Sequence, residues 1–475
     1  MRSSVLRQQA CAGALCCVLA ALAGCFGSSG LESSDAGKTA SYQPGTASFD
    51  IEAVPMASDS AAGFDLYISV PPPSLTFMRE PAGFRAICEI SVRLIGRESG
   101  EFVSEQTWAE TTFLPRYDRT QRFDPLILIR HVPIAPGRYG VEVTLEDRSS
   151  GQKAAREQAV TVIDPVSIVP AIGRVTLQSK RIEGRFLPEV SFHVPFNADS
   201  LRCAVDVYNV PPHERLPVDI RILKFRADTS MALPPYVYSA VTLPIGYGLV
   251  DLDRADTVFF RSMIAAVNRR RQTLILHIPQ LQDGLFRFDI QVTAPKPGGG
   301  DTNLVAARFY SLKGAGFPRP VTMRELIEAA GYIATDMEMR EMTSAVTPEE
   351  QRSKFEAFWL ALVNDKTGAA ALIRRYYTRV EEANRLFTTV REGWRTDRGM
   401  VYIVLGPPGE IRNHLDTQLW YYSFPGSPMM NSYSFKRIVR QGDGLSVEEY
   451  VLYRRTYYES FWGRMVARWR TGEAL

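Results

Sequence analysis

The run Gly137-Arg138-Tyr139-Gly140-Val141-Glu142-Val143-Thr144-Leu145 places Tyr139, Val141, Val143 and Leu145 at alternate positions, with polar or small residues between them. Strand side chains point to opposite faces with a period of two, so this run reads as a half-buried β-strand; a helix would repeat every three or four residues. From Phe49 to about Leu312 similar short runs recur, broken by Pro and Gly, as antiparallel strands joined by turns should be.

The same region repeats itself. Ile68-Ser69-Val70-Pro71 is echoed by Phe192-His193-Val194-Pro195, and Ala86-Ile87-Cys88-Glu89-Ile90 by Leu201-Arg202-Cys203-Ala204-Val205. His131-Val132-Pro133 with Gly137, Tyr139, Val141 and Val143 is echoed by His277-Ile278-Pro279 with Gly284, Phe286, Phe288 and Ile290. Three echoes in one order predict a duplicated unit, and short strands with turns between them suit an immunoglobulin-like antiparallel β-sandwich. The two sandwiches are expected over 48–165 and 166–314. Cys88 to His131 spans 43 residues and Cys203 to His277 spans 74, so the second copy carries about 31 extra residues.

That insertion is expected within Met231–Arg271, where Phe259, Met263, Ile264 and Val267 have helical spacing and Arg269-Arg270-Arg271 would favour a helix C-terminus. Asp251, Asp253 and Asp256 crowd there but lack the Gly and closing Glu of a calcium loop, so no metal is expected. Cys88 and Cys203, at equivalent strands of separate cores, are expected to be free buried thiols. His131 and His277 read as structural residues at strand ends, without a second ligand at metal spacing.

The chain has 475 residues, enough for about three domains, and its 45% hydrophobic and 23% charged residues are those of an ordinary globular protein. Lys and Arg number 55 against 52 Asp and Glu, a net charge of +3. That near-neutral balance offers no footprint for nucleic acid. Five His and six Cys argue against a multi-metal or disulfide-rich class, and no cofactor is expected.

Arg2 and Arg7 precede an apolar stretch from Ala10 to Ala23, which is signal-peptide length and too short to span a bilayer as a helix. It ends in Leu22-Ala23-Gly24-Cys25, which resembles the lipobox of bacterial lipoproteins. The resemblance implies a signal peptide over 1–24 and an acylated Cys25 anchoring the chain to a membrane, with Phe26 rather than Asp favouring the outer membrane facing the periplasm. Removing Arg2 and Arg7 leaves the mature chain near +1. Residues 25–47, rich in Ser, Gly, Ala and Thr, read as a flexible tether. Gly37-Lys38-Thr39 imitates the end of a P-loop, but position 32 is Glu where that motif needs Gly.

After Pro318-Arg319-Pro320 the pattern becomes helical. Thr322 with Glu325 and Thr335 with Glu338 have capping-box spacing, and Thr347-Pro348-Glu349-Glu350 marks a third helix start. A helical connector is expected over 315–346 and an α+β domain over 347–475. Phe355, Phe358, Trp359 and Leu362 form one apolar stripe, and Leu372, Tyr376, Val380, Ala383 and Phe387 form another.

Then comes Gly393-Trp394-Arg395-Thr396-Asp397-Arg398-Gly399, followed by an apolar run Met400–Leu405 expected as a strand, and Gly406-Pro407-Pro408-Gly409-Glu410. Gly393 is expected to end a helix with positive φ, Trp394 to enter the core, Thr396 and Asp397 to bond local amides, and Arg398 to pair with Asp397 or a neighbouring carboxylate. Together with Phe358-Trp359, Arg379-Val380-Glu381-Glu382-Ala383-Asn384-Arg385-Leu386-Phe387 and Trp420-Tyr421-Tyr422, this resembles the GWxTD domain family of bacterial envelope proteins. The resemblance covers about Thr347 to Leu452 and implies an architecture without an assigned reaction. Gly409 stands where the family commonly has Asp. The later part also faintly resembles the small lipoprotein of the outer-membrane barrel-assembly machine.

No nucleophile elbow, zinc-protease or dinucleotide motif occurs in a usable context. The leading expectation is a non-enzymatic envelope lipoprotein, a scaffold that docks a protein partner. The alternatives are an enzyme acting on envelope glycan with Asp397 and Glu410 as acid and base, and a glycan-binding module using exposed Trp420 and Tyr422. Candidate binding residues are Trp394, Thr396, Asp397, Arg398, Glu410, Trp420 and Tyr422.

Overall fold

The computed structural model describes residues 49–473 except 58–60, 123–124, 181–183, 185, 195–199, 239–249, 315, 415, 424–430 and 443–444. The lipobox with Cys25, the segment 25–47 and the false P-loop lie outside the described residues.

The alternating runs form strands as the pattern requires. The first β region contains β1 (Asp50–Ala57), β2 (Ala62–Val70), β3 (Met78–Glu80), β4 (Gly83–Gly96), β5 (Phe102–Leu114), helix α1 (Tyr117–Thr120), β6 (Leu126–Pro133), β7 (Gly137–Asp147) and β8 (Lys153–Val162). One sheet has the order β1-β2-β6; the other runs β3-β4-β7-β8, with β5 also on β4. Phe64, Leu66 and Ile68 of β2 and Ile90, Val92, Val141, Val143 and Leu145 of the second sheet belong to one buried core. Apolar faces of two sheets are thereby removed from water together, which is the main favourable term of the region.

The second β region contains β9 (Ala171–Ile172), β10 (Thr176–Lys180), β11 (Phe186–Pro188), β12 (His193–Val194), β13 (Leu201–Tyr208), β14 (Arg215–Ala227), β15 (Val250–Ala266), β16 (Arg271–Ile278), β17 (Gly284–Pro295) and β18 (Asp301–Leu312). Its sheets run β11-β10-β13-β16, with β9 on β13, and β12-β18-β17-β14-β15, and they also share one core. The order β15-β14-β17-β18 matches β5-β4-β7-β8, and β10-β13-β16 matches β1-β2-β6.

This correspondence keeps one sequence echo and corrects the other two: Ile68–Val70 lies on β2, the counterpart of β13, whereas His193–Val194 forms β12. His131 and His277 lie on matching strands β6 and β16, and the runs after them form matching strands β7 and β17. Cys88 lies on β4, whose counterpart is β14, whereas Cys203 lies on β13, the counterpart of β2. The two cysteines are therefore not equivalent, although both thiols are free and buried. Burial pushes Cys88 up to about 11 and Cys203 further in the same direction.

Two helical and strand assignments are also corrected. Residues 250–266 form strand β15 along β14 rather than a helix, and Arg269-Arg270-Arg271 lead through a turn into β16 rather than ending a helix. The helical spacing of Phe259, Met263 and Ile264 is incidental: Phe259 and Met263 pack on the core, while Phe260 and Ile264 face outward. The count of about 31 extra residues, taken from Cys88 and Cys203, falls with their equivalence; the longer connection of the second region is that between β14 and β15, over 228–249, where the first region has only 97–101.

The C-terminal part contains α2 (Met323–Ala330), α3 (Asp336–Thr343), α4 (Pro348–Val363), α5 (Lys366–Phe387), a 3₁₀ turn (Gly393–Arg395), α6 (Asp397–Leu405), β19 (Glu410–Asn413), β20 (Thr417–Tyr422), β21 (Asn431–Gly442), β22 (Leu445–Leu452) and α7 (Tyr458–Arg470). Both capping boxes form, and the Thr347 side chain caps α4. The strands pair antiparallel in sequence order. Met400–Leu405 is helical, not a strand: all nine residues of α6 are buried, so the helix has no polar face to reveal its period. Ile327, Ala330, Ile333 and Met342 of the expected connector belong to the same core as Trp359, Tyr376, Trp394 and Trp420, so α2 and α3 are part of this unit rather than a spacer before it.

Candidate functional site

The Gly-Trp-Arg-Thr-Asp turn is built by close backbone contact. After α5 the chain doubles back through the 3₁₀ turn, where Gly393 N–H donates to Thr388 Oγ1 (2.8 Å) and Trp394 N–H to Asn384 Oδ1 (3.1 Å). A Cβ at Gly393 would stand 2.0 Å from the Ala383 carbonyl oxygen, and one at Gly399 would stand 1.9 Å from that of Gly393. Both glycines are required by proximity; neither has positive φ, contrary to expectation for Gly393. Gly406, with φ of 87°, is the glycine that ends a helix here.

Thr396 caps α6: its Oγ1 accepts from Gly399 N–H (3.0 Å) and donates to the Gly393 carbonyl (2.7 Å). Trp394 is fully buried, and the Arg395 guanidinium lies 4.0 Å from its ring centroid. Asp397, 4% exposed, does not bond local amides. Its carboxylate accepts two bonds from Arg454 (2.8 and 3.1 Å) and one from Leu452 N–H (2.7 Å), across 55 to 57 residues. Arg398 does not take that place; its guanidinium lies over Tyr450 (3.9 Å) and Phe387 (5.1 Å).

Three arginines of this cluster reach out of the C-terminal unit to the backbone of the extra chain between β14 and β15. Arg395 donates to the Thr229 carbonyl (2.5 Å), Arg391 to that of Ser230 (2.6 Å) and Arg454 to that of Leu233 (2.9 Å). Arg455 N–H donates to the Pro235 carbonyl (3.0 Å), and the Tyr238 hydroxyl to that of Arg454 (2.9 Å). Ala232 completes the contact by joining the C-terminal core. The arginines are held in turn by carboxylates: Arg395 bonds Glu328 and Glu392 (2.6 Å each), and Arg391 lies 3.5 Å from Asp228 and 3.8 Å from Glu449. Burial acts to raise Glu328, but hydrogen bonds from Arg324 and Arg395 outweigh it and hold the carboxyl low. Burial dominates at Glu449, which is pushed up to about 7 despite Arg391.

The remaining candidates lie elsewhere. Glu410 is exposed on β19 and paired with Arg412 (2.7 Å), so it shares no cleft with buried Asp397. Trp420 and Tyr422, expected as exposed platforms, are buried; Trp420 Nε1 donates to Gln418 (2.8 Å) and the Tyr422 hydroxyl to the Gly406 carbonyl (3.0 Å). Among the described residues no cluster of His, Cys, Asp and Glu could hold a metal, and no helix is long and apolar enough to cross a membrane. Sequence reading did not single out Arg391, Glu449 or Arg454; of the segment 228–238, residues from Met231 on fell within the expected insertion but carried no stated role.

Residues 300–471 match the GWxTD domain model. The chain carries a GWxTD domain. The match begins on β18 and includes α2 and α3, in keeping with their place in the core. No curated protein matches the chain. Solved structures similar to it include a tetra-tandem repeat from the extending region of a large adhesion protein, at 13% identity and TM-score 0.16, covering 56% of this chain and 49% of that one. Red sea bream transglutaminase is similar at 8% identity and TM-score 0.16, covering 56% and 31%. The chain thus spans about half of the first protein and a third of the second, and neither score carries a structural argument.

Proposed function

We propose that this protein is a non-enzymatic, lipid-anchored scaffold of the bacterial cell envelope. In this reading Cys25 is acylated after removal of residues 1–24, residues 25–47 tether the chain, and two immunoglobulin-like sandwiches (48–165 and 166–314) project the C-terminal unit toward a protein partner at the outer membrane. The observation that supports a scaffold over an enzyme is the state of Asp397: it is 4% exposed, and its carboxylate is engaged by Arg454 and Leu452 N–H, a buried ion pair rather than a proton-exchanging group open to substrate. The motif instead spends its polar groups on holding the second β region. Glu410→Gln tests this directly, because the exposed side chain can change without disturbing the fold. Full complementation of a deletion strain is expected; a folded variant without cellular function would overturn the reading. An alkyne fatty acid should label the wild type and leave Cys25→Ala unlabelled, and equal labelling would remove the anchor.

A further inference from the structure

The first β region ends in a surface that no contact among the described residues explains. Residues Met78, Arg85 and Phe113 stand in register across β3, β4 and β5 on the outward face, and Met78 and Phe113 are 58% and 46% exposed. Beside them α1 presents Tyr117, 63% exposed, whose ring meets Phe84 at 5.7 Å. Five exposed arginines surround these apolar groups: Arg79, Arg85, Arg116, Arg119 and Arg122. Glu80 neutralises Arg85, and Asp118 is shared by Arg116 and Arg122; Arg79 and Arg119 have no ion pair among the described residues. Over the described residues, five arginines against Glu80 and Asp118 leave the surface net positive.

The topology places this surface at one particular end. Asp50, where the described chain enters, pairs with Ser69 at the end of β2, and Val70 beside it pairs with Leu126 at the start of β6. Helix α1 lies in the connection that leads into β6, whose first residue is about two strand spacings, roughly 10 Å, from the entry strand β1 at the same sheet end. Any anchor at Cys25 is joined to the molecule here.

We infer that this end of the first β region rests on an anionic lipid surface, with Met78, Phe113 and Tyr117 entering the headgroup layer and the surrounding arginines pairing with lipid phosphates. The chemistry is that of an interfacial contact: aromatic and thioether groups supply apolar burial, and a ring of guanidinium groups supplies charge. A contact of a few side chains is weak alone, and it becomes effective when an acyl chain already holds the molecule at the surface. The inference therefore rests on the proposed anchor, and the two fail separately in the following experiment.

The full acylated chain is purified from membranes and reconstituted in vesicles of phosphatidylcholine with roughly a third phosphatidylglycerol. A fluorophore is attached at Gln121→Cys, beside α1, or at Glu98→Cys, in the β4–β5 turn at the opposite end; Cys88 and Cys203 are buried and do not compete. Headgroup-labelled nitroxide lipid is expected to quench position 121 roughly three-fold more than position 98, and Arg116→Glu with Arg119→Glu and Arg122→Glu should abolish the difference. Equal quenching at the two positions, or a difference that survives the triple substitution, would overturn the inference. So would a photo-crosslink from position 121 in cells that captures protein and no lipid. The mass of the N-terminal fragment reports the anchor independently. If no acyl group is found, sedimentation of the full chain with the same vesicles decides: weaker binding by the triple variant supports the surface, and equal binding refutes it.

Discussion

The hairpins β4–β5 and β14–β15 occupy matching places in the two β regions and close in different ways. The first turns back within residues 97–101, where Gly96 N–H donates to the Glu101 carbonyl (2.9 Å). The second leaves its sheet at Ala227 and returns at Val250, and its residues 229–233 are held by arginines 161 to 221 residues further along the chain. A local turn is specified by the residues that make it. The long connection is specified by its receptor, because a bond to a backbone carbonyl asks for no particular side chain on the accepting residue.

The largest expected effect comes from breaking the pair that orders the receptor. Asp397→Asn leaves the Arg454 guanidinium buried without a counter-charge, which typically costs about 3–5 kcal/mol. Chemical denaturation should show that loss, together with new protease sensitivity near residues 228–238. A loss near 1 kcal/mol, as for an ordinary turn cap, would mean that Asp397 acts only on its neighbours in sequence.

The junction between the two β regions offers the contrasting case, since it is made by side chains on both sides. Glu52 of β1, almost fully buried, pairs with Arg308 of β18 and lies 3.3 Å from Arg174. Arg308 keeps a second acceptor in the Glu189 carbonyl (3.0 Å), and Arg174 is a third exposed. Glu52→Gln should therefore cost less than Asp397→Asn, about 2–3 kcal/mol. Hydrogen exchange over 228–238 should stay unchanged; faster exchange there would show that the two junctions are coupled.

Glu449 makes the receptor sensitive to pH. Its carboxyl is raised to about 7 from 4.5, so the folded state favours the neutral acid. The stability this provides is complete below about pH 4.5 and is lost as pH rises through about 7, by on the order of 2–3 kcal/mol. Denaturation midpoints at pH 5 and pH 8 should differ in the wild type and converge in Glu449→Gln; an unchanged gap would assign the dependence to other groups. The smallest effect is expected on the held side. Ser230→Ala should change stability by no more than about 0.5 kcal/mol, because alanine retains the carbonyl that Arg391 binds at 2.6 Å and loses only a long 3.5 Å contact to the Ser230 hydroxyl. A cost above 1 kcal/mol would make the segment's side chains part of the recognition.

Much of the architecture was legible before any coordinates. Strand period and capping-box spacing are local signals, and the antiparallel strand character of both β regions, β15 excepted, and the starts of α2, α3 and α4 followed them. Burial of Trp394 was legible for the same reason. The readings that failed are those where burial is complete or the partner is remote. Helix α6 shows no amphipathic period because every residue is inside, and the Cys88 and Cys203 runs resemble each other because inward-facing strands of any sheet use the same few residue types. Asp397 reads as a turn residue until Arg454, 57 positions away, is brought beside it.

The position of Arg454 gives the structure an order in time. A chain is synthesised from its N-terminus, so residues 228–238 and Asp397 exist before the guanidinium that joins them. Until Arg454 is delivered, Asp397 keeps its water, and the carbonyl of Leu233 has no donor from this side. Closure is therefore available only once residue 454 has been made. A chain stopped at Leu452, which also lacks the core residues of α7, should be cut between 228 and 238 by a protease that spares a chain carrying Arg454. In a cell this would make the long connection a mark that tells molecules without Arg454 from molecules that have it.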